Sequence, residues 1–138
     1  MIRAVFDCNT VMAAAGWRSE PFQCLVLVAR RRVRAFVTHW ICDEYRRVAQ
    51  RMETESIFPR SPWPLLDWFM TACHEVIPGP LGKQRSRDAS DDPYLACALS
   101  AKAEFIITRD PDLLDLGKPF GAEIVTPRAF LSRIRAGI

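Results

Sequence analysis

The stretch RDASDDPYLACALSAKAEFIITRDPDLLDL, residues 87–116, contains two helical segments with an apolar strand between them. Apolar residues recur at helical spacing over 94–101, and a strand with an apolar centre is predicted over 104–108. Pro111 then opens a second, short helical segment over 111–115. A short apolar strand bounded by helices is typical of a buried strand in a parallel sheet. The stretch therefore predicts an α/β fold.

The rest of the chain continues this alternation of short strands and helices. Further strands are predicted over 2–6, 34–38, 75–77 and 123–125, and further helices over 21–31, 41–52, 64–73 and 127–135. Residues 78–87 hold two prolines and two glycines and predict a loop. Right-handed βαβ units build a parallel sheet, in which ligands bind beyond the carboxyl ends of the strands. We therefore expect one α/β domain over residues 1–138.

The composition indicates a globular chain of a reducing compartment. Of 138 residues, 49% are apolar and 25% are charged, and the net charge of +3 is compatible with nucleic acid without indicating it. The five cysteines are widely spaced without a C-x-x-C pair, which argues against a disulfide framework and a zinc site. We see no signal peptide, and the longest apolar stretch, 24–29, is too short to cross a bilayer. We expect a cytoplasmic protein with no membrane partner.

Acidic residues stand where two of the predicted strands end. Asp7 follows the first strand directly, and Asp110 follows the strand at 104–108. Asp91 and Asp92 open the helix before that strand, and the helical phase allows either of them to face the sheet. Each of these acids, taken alone, is explained as a turn residue or a helix N-cap.

A further acid lies on the helix predicted over 41–52. The buried stripe of this helix is formed by apolar residues at helical spacing, namely Ile41, Tyr45, Val48 and Met52. Glu44 lies within or beside the stripe, whereas Asp43 points roughly 100° away from it. A carboxylate on a core-facing stripe is costly unless it is paired or bound to a cation. Glu44 therefore either pairs at the rim with Arg47 or Arg51, or contributes to a site.

Four distant segments of the chain can thus bring acids to one edge of the sheet. Carboxylates within a few ångströms repel each other, and such an arrangement persists when a hard divalent cation binds them. Oxygen-only ligation suits Mg²⁺ or Mn²⁺ rather than Zn²⁺. Such ions activate water and stabilise an in-line phosphoryl displacement. The residues therefore predict a metal-dependent phosphodiesterase.

Three alternatives compete with this prediction. The segment DCNTV at residues 7–11 partly matches the D-x-D-x-[TV] loop of haloacid dehalogenase-like phosphatases. However, Asn9 replaces the second acid, and no suitable downstream lysine precedes the terminal acidic pair. A receiver-like signalling domain needs paired acids after the first strand and an acceptor Asp after the third, and the chain has neither. A module that binds RNA or protein without cutting it is the non-enzymatic alternative.

Three segments together resemble the PIN domain family, in particular its VapC-like group, the toxin components of toxin–antitoxin pairs. They are VFDCNTVMAA, FVTHWICDEYRRV and the whole stretch at residues 87–116 quoted above, and the resemblance covers about residues 2–130. It implies a three-layer α/β/α fold with a five-stranded parallel sheet in the order 3-2-1-4-5. It also implies Mg²⁺- or Mn²⁺-dependent cleavage of RNA that leaves a 5′-phosphate and a 3′-hydroxyl.

The resemblance also implies which acids form the site. The first acid of the family falls on Asp7, the second on Glu44 and the last on Asp110. A gapless match back from Asp110 selects Asp92 as the third acid, but some relatives carry it where Asp91 stands. The implied metal ligands are therefore Asp7, Asp92 or Asp91, and Asp110, with Glu44 completing the set.

Further residues receive secondary roles from the same resemblance. Asn9 and Thr108 match residues that orient the site, and Asp112 matches an auxiliary acid. The side chains that could guide the RNA backbone are Arg85, Arg87 and Arg109. The implied partners are an RNA substrate, a small antitoxin that fills the acidic groove, and a second copy of the chain in a homodimer.

Overall fold

The computed structural model describes residues 1–137, so that only residue 138 of the predicted domain lies outside it. It contains a five-stranded sheet in the order β3-β2-β1-β4-β5, and all neighbouring strands pair in parallel. The strands are β1 (Ile2–Phe6), β2 (Val33–Val37), β3 (His74–Glu75), β4 (Phe105–Ile107) and β5 (Glu123–Val125). The predicted α/β fold and the strand order 3-2-1-4-5 are confirmed.

Seven α-helices connect or flank the described strands. They are α1 (Cys8–Gly16), α2 (Glu20–Ala29), α3 (His39–Thr54), α4 (Trp63–Ala72), α5 (Asp92–Ala101), α6 (Pro111–Leu114) and α7 (Pro127–Arg135). Two single 3₁₀ turns, Ala89–Asp91 and Pro119–Gly121, precede α5 and β5. Within residues 1–137, no helix has both the length and the apolar character needed to cross a membrane.

The helix α1 is the one α-helix for which we predicted no counterpart. Asp7 begins it as the N-cap, and Trp17 ends it. The second helix of the sequence-based prediction is longer than expected, because the Thr38 hydroxyl accepts a hydrogen bond from the Ile41 N–H and starts α3 at His39. The strand expected over 75–77 is instead the two-residue edge strand β3.

The central strand β1 ends against an aromatic cluster. Its last three residues are buried on both faces, as expected for the middle of a parallel sheet. Phe6 packs edge-to-face on Phe69 of α4, with ring centroids 5.6 Å apart. The buried Tyr45 of α3 donates a hydrogen bond from its hydroxyl to the Phe6 carbonyl oxygen, at 2.5 Å. These contacts hold the end of the strand directly before Asp7.

The register of the sheet decides which residues meet at its carboxyl edge. Phe6 of β1 pairs with Ile107 of β4, so the next residues along the two strands, Asp7 and Thr108, are neighbours. The Asp7 N–H donates to the Ile107 carbonyl oxygen at 3.2 Å, and the Thr108 N–H donates to the Val125 carbonyl oxygen at 2.9 Å. Two strands that are far apart in the sequence therefore bring the Asp7 carboxylate and the Thr108 hydroxyl together at the carboxyl edge of the sheet.

Candidate active site

Asp7 is a buried carboxylate held by hydrogen bonds from two chain segments. One oxygen accepts from the Thr10 backbone N–H at 2.9 Å, which caps α1, and the other accepts from the Thr108 hydroxyl. Burial raises the pKa of Asp7, the hydrogen bonds to Thr10 and Thr108 lower it in part, and the charge of Asp110 adds a smaller increase. Asp7 is therefore a turn and cap residue as well as a member of the acidic edge.

Thr108 links the acid at the end of β1 to the acid after β4. Its hydroxyl donates to Asp7 and accepts a hydrogen bond from the Asp110 backbone N–H at 2.9 Å. Asp110 in turn caps α6, because its carboxylate accepts from the Asp112 N–H at 2.9 Å. One buried hydroxyl thus sets the separation of the two strand-end acids.

Asp91, Asp110 and Asp112 form the tightest acidic cluster of the described residues. One carboxylate oxygen from each lies within 4.8 Å of the others. Burial, followed by the charge of Asp110, raises the pKa of Asp91 to about 7, although a hydrogen bond from the Ser86 hydroxyl at 3.2 Å opposes the shift. Asp91 therefore holds its proton more tightly than an exposed aspartate does, as expected beside another acid.

Asp92 faces a loop instead of this cluster. One of its oxygens accepts from the Arg85 backbone N–H at 2.9 Å, and the other accepts from the Ser86 backbone N–H at 2.8 Å. The gapless match to the family selected Asp92 for the metal set, but the structure brings Asp91 to the other acids and uses Asp92 to fasten the loop. Asp91 ends a 3₁₀ turn and Asp92 begins α5, and the two carboxylates accept hydrogen bonds from different groups.

Glu44 approaches the acidic edge from α3 and is held by Tyr94 of α5. The Tyr94 hydroxyl donates to a Glu44 carboxylate oxygen at 2.8 Å. Partial burial raises the pKa of Glu44, the Tyr94 hydrogen bond and the Arg47 charge lower it, and the charge of Asp7 raises it. The neighbouring Asp43 is exposed and pairs with His39 and Arg46, as the helical phase predicts.

A family model described as the PIN domain matches residues 3–112, which is most of the chain. The chain belongs to the PIN domain family. Its structure also resembles the crystal structure of PAE2754 from Pyrobaculum aerophilum, with a TM-score of 0.64 over 98% of this chain and 90% of that one. The sequences are 18% identical, so this likeness concerns the fold alone. No curated protein sequence matches the chain.

PIN domains are typically metal-dependent nucleases, and the acidic edge of this one fits a hard divalent cation. Every donor in the cluster of Asp91, Asp110 and Asp112 is a carboxylate oxygen, the ligand type that Mg²⁺ and Mn²⁺ prefer. The raised pKa of Asp91 reflects burial and like-charge repulsion that a bound cation would offset. Asp7 and Glu44 lie outside this tight cluster, although the charge of Asp110 acts on Asp7 and that of Asp7 acts on Glu44.

The residues of this PIN domain that were expected to orient the site or to contact RNA differ in their surroundings. Asn9 is exposed on α1 and forms no hydrogen bond with an acid within residues 1–137, so its orienting role stays a prediction. The guanidinium of Arg85 donates to the Leu81 carbonyl oxygen, at 3.2 and 2.8 Å, and Arg109 is exposed beside the site acid Asp110.

Three residues that act on the acids were missed by sequence reasoning: Thr10, Ser86 and Tyr94. Thr10 stands three residues after an N-cap acid, a spacing that could have revealed its N–H as a donor to Asp7. The other two donate hydrogen bonds through tertiary contacts, Ser86 from a loop to Asp91 and Tyr94 from α5 to Glu44 of α3. No local sequence pattern predicts these contacts.

Proposed function

We propose that this PIN domain is a Mg²⁺- or Mn²⁺-dependent endoribonuclease. The observation that carries the proposal is the cluster of Asp91, Asp110 and Asp112, joined through Thr108 to the buried Asp7. Family membership supports nuclease chemistry, and the oxygen-only donor set supports Mg²⁺ or Mn²⁺. The choice of RNA as the substrate rests on the resemblance to the VapC-like group.

In this proposal the acids have different roles in holding the cation. Asp91 and Asp110 hold the cation, Asp112 is auxiliary, and Asp7 completes the set from the end of β1. When bound, the divalent ion activates water and stabilises the charge that develops on the scissile phosphate. Thr108 keeps Asp7 oriented and favours its ionised form, because a hydrogen bond to the carboxylate lowers its pKa.

Glu44 of α3 supplies the remaining acid, and its pKa responds to the charge of Asp7. Its hydrogen bond from Tyr94 fixes one carboxylate oxygen, and the other would be available to help hold the cation. In this proposal Arg109, which is exposed one residue before Asp110, contacts an RNA phosphate. We propose the homodimer and the small antitoxin partner that the VapC-like resemblance implies. We also propose the cytoplasmic setting that the five widely spaced cysteines favour.

Cleavage of a panel of end-labelled RNAs tests the proposal. We expect cleavage with Mg²⁺ or Mn²⁺, none with EDTA, and fragments with 5′-phosphate and 3′-hydroxyl ends. Asp7→Asn should abolish cleavage, whereas the matched control Asp43→Asn, which removes an exposed acid of α3, should retain it. RNA binding without cleavage by the wild-type chain would instead identify a non-cleaving binding module.

The toxin role requires a separate experiment in cells. Induced expression of the wild-type chain should arrest growth, and Asp7→Asn should not. Co-expression of a small DNA-binding protein encoded beside this chain should restore growth and co-purify with it. A nuclease that leaves growth unaffected would keep the enzymatic proposal and remove the toxin role.

A further inference from the structure

A short loop beside the acidic cluster is tied down by four carboxylates. This loop, residues 84–88, is called the strap. On one side its backbone N–H groups at Arg85 and Ser86 donate to Asp92, and the Ser86 hydroxyl donates to Asp91. Ser86 itself is buried, so this side of the strap is part of the folded core.

On its other side, the strap reaches the cluster through one charged side chain. A guanidinium nitrogen of Arg87 lies 2.9 Å from a carboxylate oxygen of Asp112 and 2.5 Å from one of Asp115. Within residues 1–137, no other cationic side chain forms an ion pair with Asp91, Asp110 or Asp112. Arg87 is therefore the positive charge that the folded chain itself supplies to this cluster.

The two attachments of the strap differ in how readily they can be released. The bonds to Asp92 involve backbone groups, whereas the Arg87 side chain is 66% exposed and its partner Asp112 is 38% exposed. Exposed ion pairs are weak and are screened by salt. The guanidinium can therefore leave Asp112 while the strap stays in place.

We infer that Arg87 is a built-in counter-ion that competes with a divalent cation for Asp112. The inference rests on the proposed cation site and adds a positioning role for a residue outside it. Without the cation, Arg87 compensates part of the charge of the cluster and holds α6 against the strap. With the cation, Asp112 turns from the guanidinium to the ion or its solvent shell.

Titration with Mn²⁺, followed by calorimetry and by the spin resonance of free Mn²⁺, tests this competition. We expect Arg87→Gln to bind Mn²⁺ about three- to tenfold more tightly than wild type, with a gain that shrinks at high salt. The matched control is Arg85→Gln, which removes the same charge from the same strap but whose guanidinium contacts the Leu81 carbonyl. We expect less than about twofold change for it, and near wild-type binding for Arg87→Lys.

The outcomes separate this inference from the nuclease proposal. Equal shifts for Arg87→Gln and Arg85→Gln, weaker binding by Arg87→Gln, or no Mn²⁺ binding by the wild-type chain would each overturn the inference. A merely structural role for Arg87 gives the second of these results. If Arg87→Gln alone binds Mn²⁺ more tightly and the wild-type chain cleaves no RNA, the inference is supported and only the nuclease proposal is overturned.

Discussion

Two adjacent aspartates should respond in opposite directions when each is replaced by asparagine. Asp91 lies in the acidic cluster, and its pKa is raised from 3.8 to about 7. Asp92 accepts backbone hydrogen bonds with both carboxylate oxygens. In the metal-free protein we expect Asp91→Asn to stabilise the fold at pH 8 and Asp92→Asn to destabilise it.

The magnitudes follow from these two environments. A raised carboxylate pKa means that the folded state holds its proton more tightly than the unfolded state, so stability falls as pH rises towards and through pH 7. The full shift would correspond to roughly 4 kcal/mol at alkaline pH, and solvent screening reduces this to about 1–2 kcal/mol. An amide at Asp92 can accept only one of the two N–H groups and turns a donor towards the other, a cost of about 1–2 kcal/mol.

Urea unfolding in EDTA, monitored by tryptophan fluorescence at pH 8 and pH 5.5, measures both changes. The gain from Asp91→Asn should shrink at pH 5.5, because the wild-type Asp91 is then protonated in the folded state. The loss from Asp92→Asn should persist at both pH values. Destabilisation by Asp91→Asn, or a gain that does not vary with pH, would refute the assignment of the two side chains.

Three further outcomes follow from the site. Mn²⁺ affinity should rise between pH 6 and pH 8, because Asp91 must lose its proton to bind a cation. Calorimetry in buffers of different ionisation enthalpy should detect the released proton, and pH-independent binding would contradict this expectation. Thr108→Val should cost about 1–3 kcal/mol in urea unfolding and weaken Mn²⁺ binding, since Asp7 loses a donor, whereas Thr108→Ser should behave like wild type. Tyr94→Phe should raise the pKa of Glu44 and slow RNA cleavage about tenfold, because the Glu44 carboxylate loses a hydrogen-bond donor. The acid limb of the pH–rate profile of this variant should move to higher pH. An acid limb at the wild-type position would argue against a role for the hydrogen bond.

The parts of the fold that were predictable have clear local signals. The last three residues of β1 and all of β4 are short apolar runs that are buried, and the long helix α3 carries an amphipathic stripe. The helix α1 lacks such a stripe because seven of its nine residues are buried. Its polar start at Cys8, Asn9 and Thr10 also resembles a turn, so the periodicity of the sequence did not reveal it.

The candidate site was predictable only in part for a similar reason. Asp7 and Asp110 follow strands directly, and the topology of a parallel sheet brings such residues to one edge. The choice between Asp91 and Asp92 depends instead on a 3₁₀ turn and on hydrogen bonds from a loop, which helical phase does not describe. The donors Ser86 and Tyr94 depend on tertiary contacts and carry no motif of their own.

The most direct test of the acidic edge as a cation site is a crystal structure of the chain with Mn²⁺, using the anomalous scattering of the metal. We predict an anomalous peak for a Mn²⁺ ion that is ligated by Asp91 and Asp110, with Asp112 beside the ion. Asp92 should still accept its hydrogen bonds from the loop. A peak ligated by Asp92, or Mn²⁺ bound elsewhere while this cluster stays empty at saturating concentration, would contradict the proposed site.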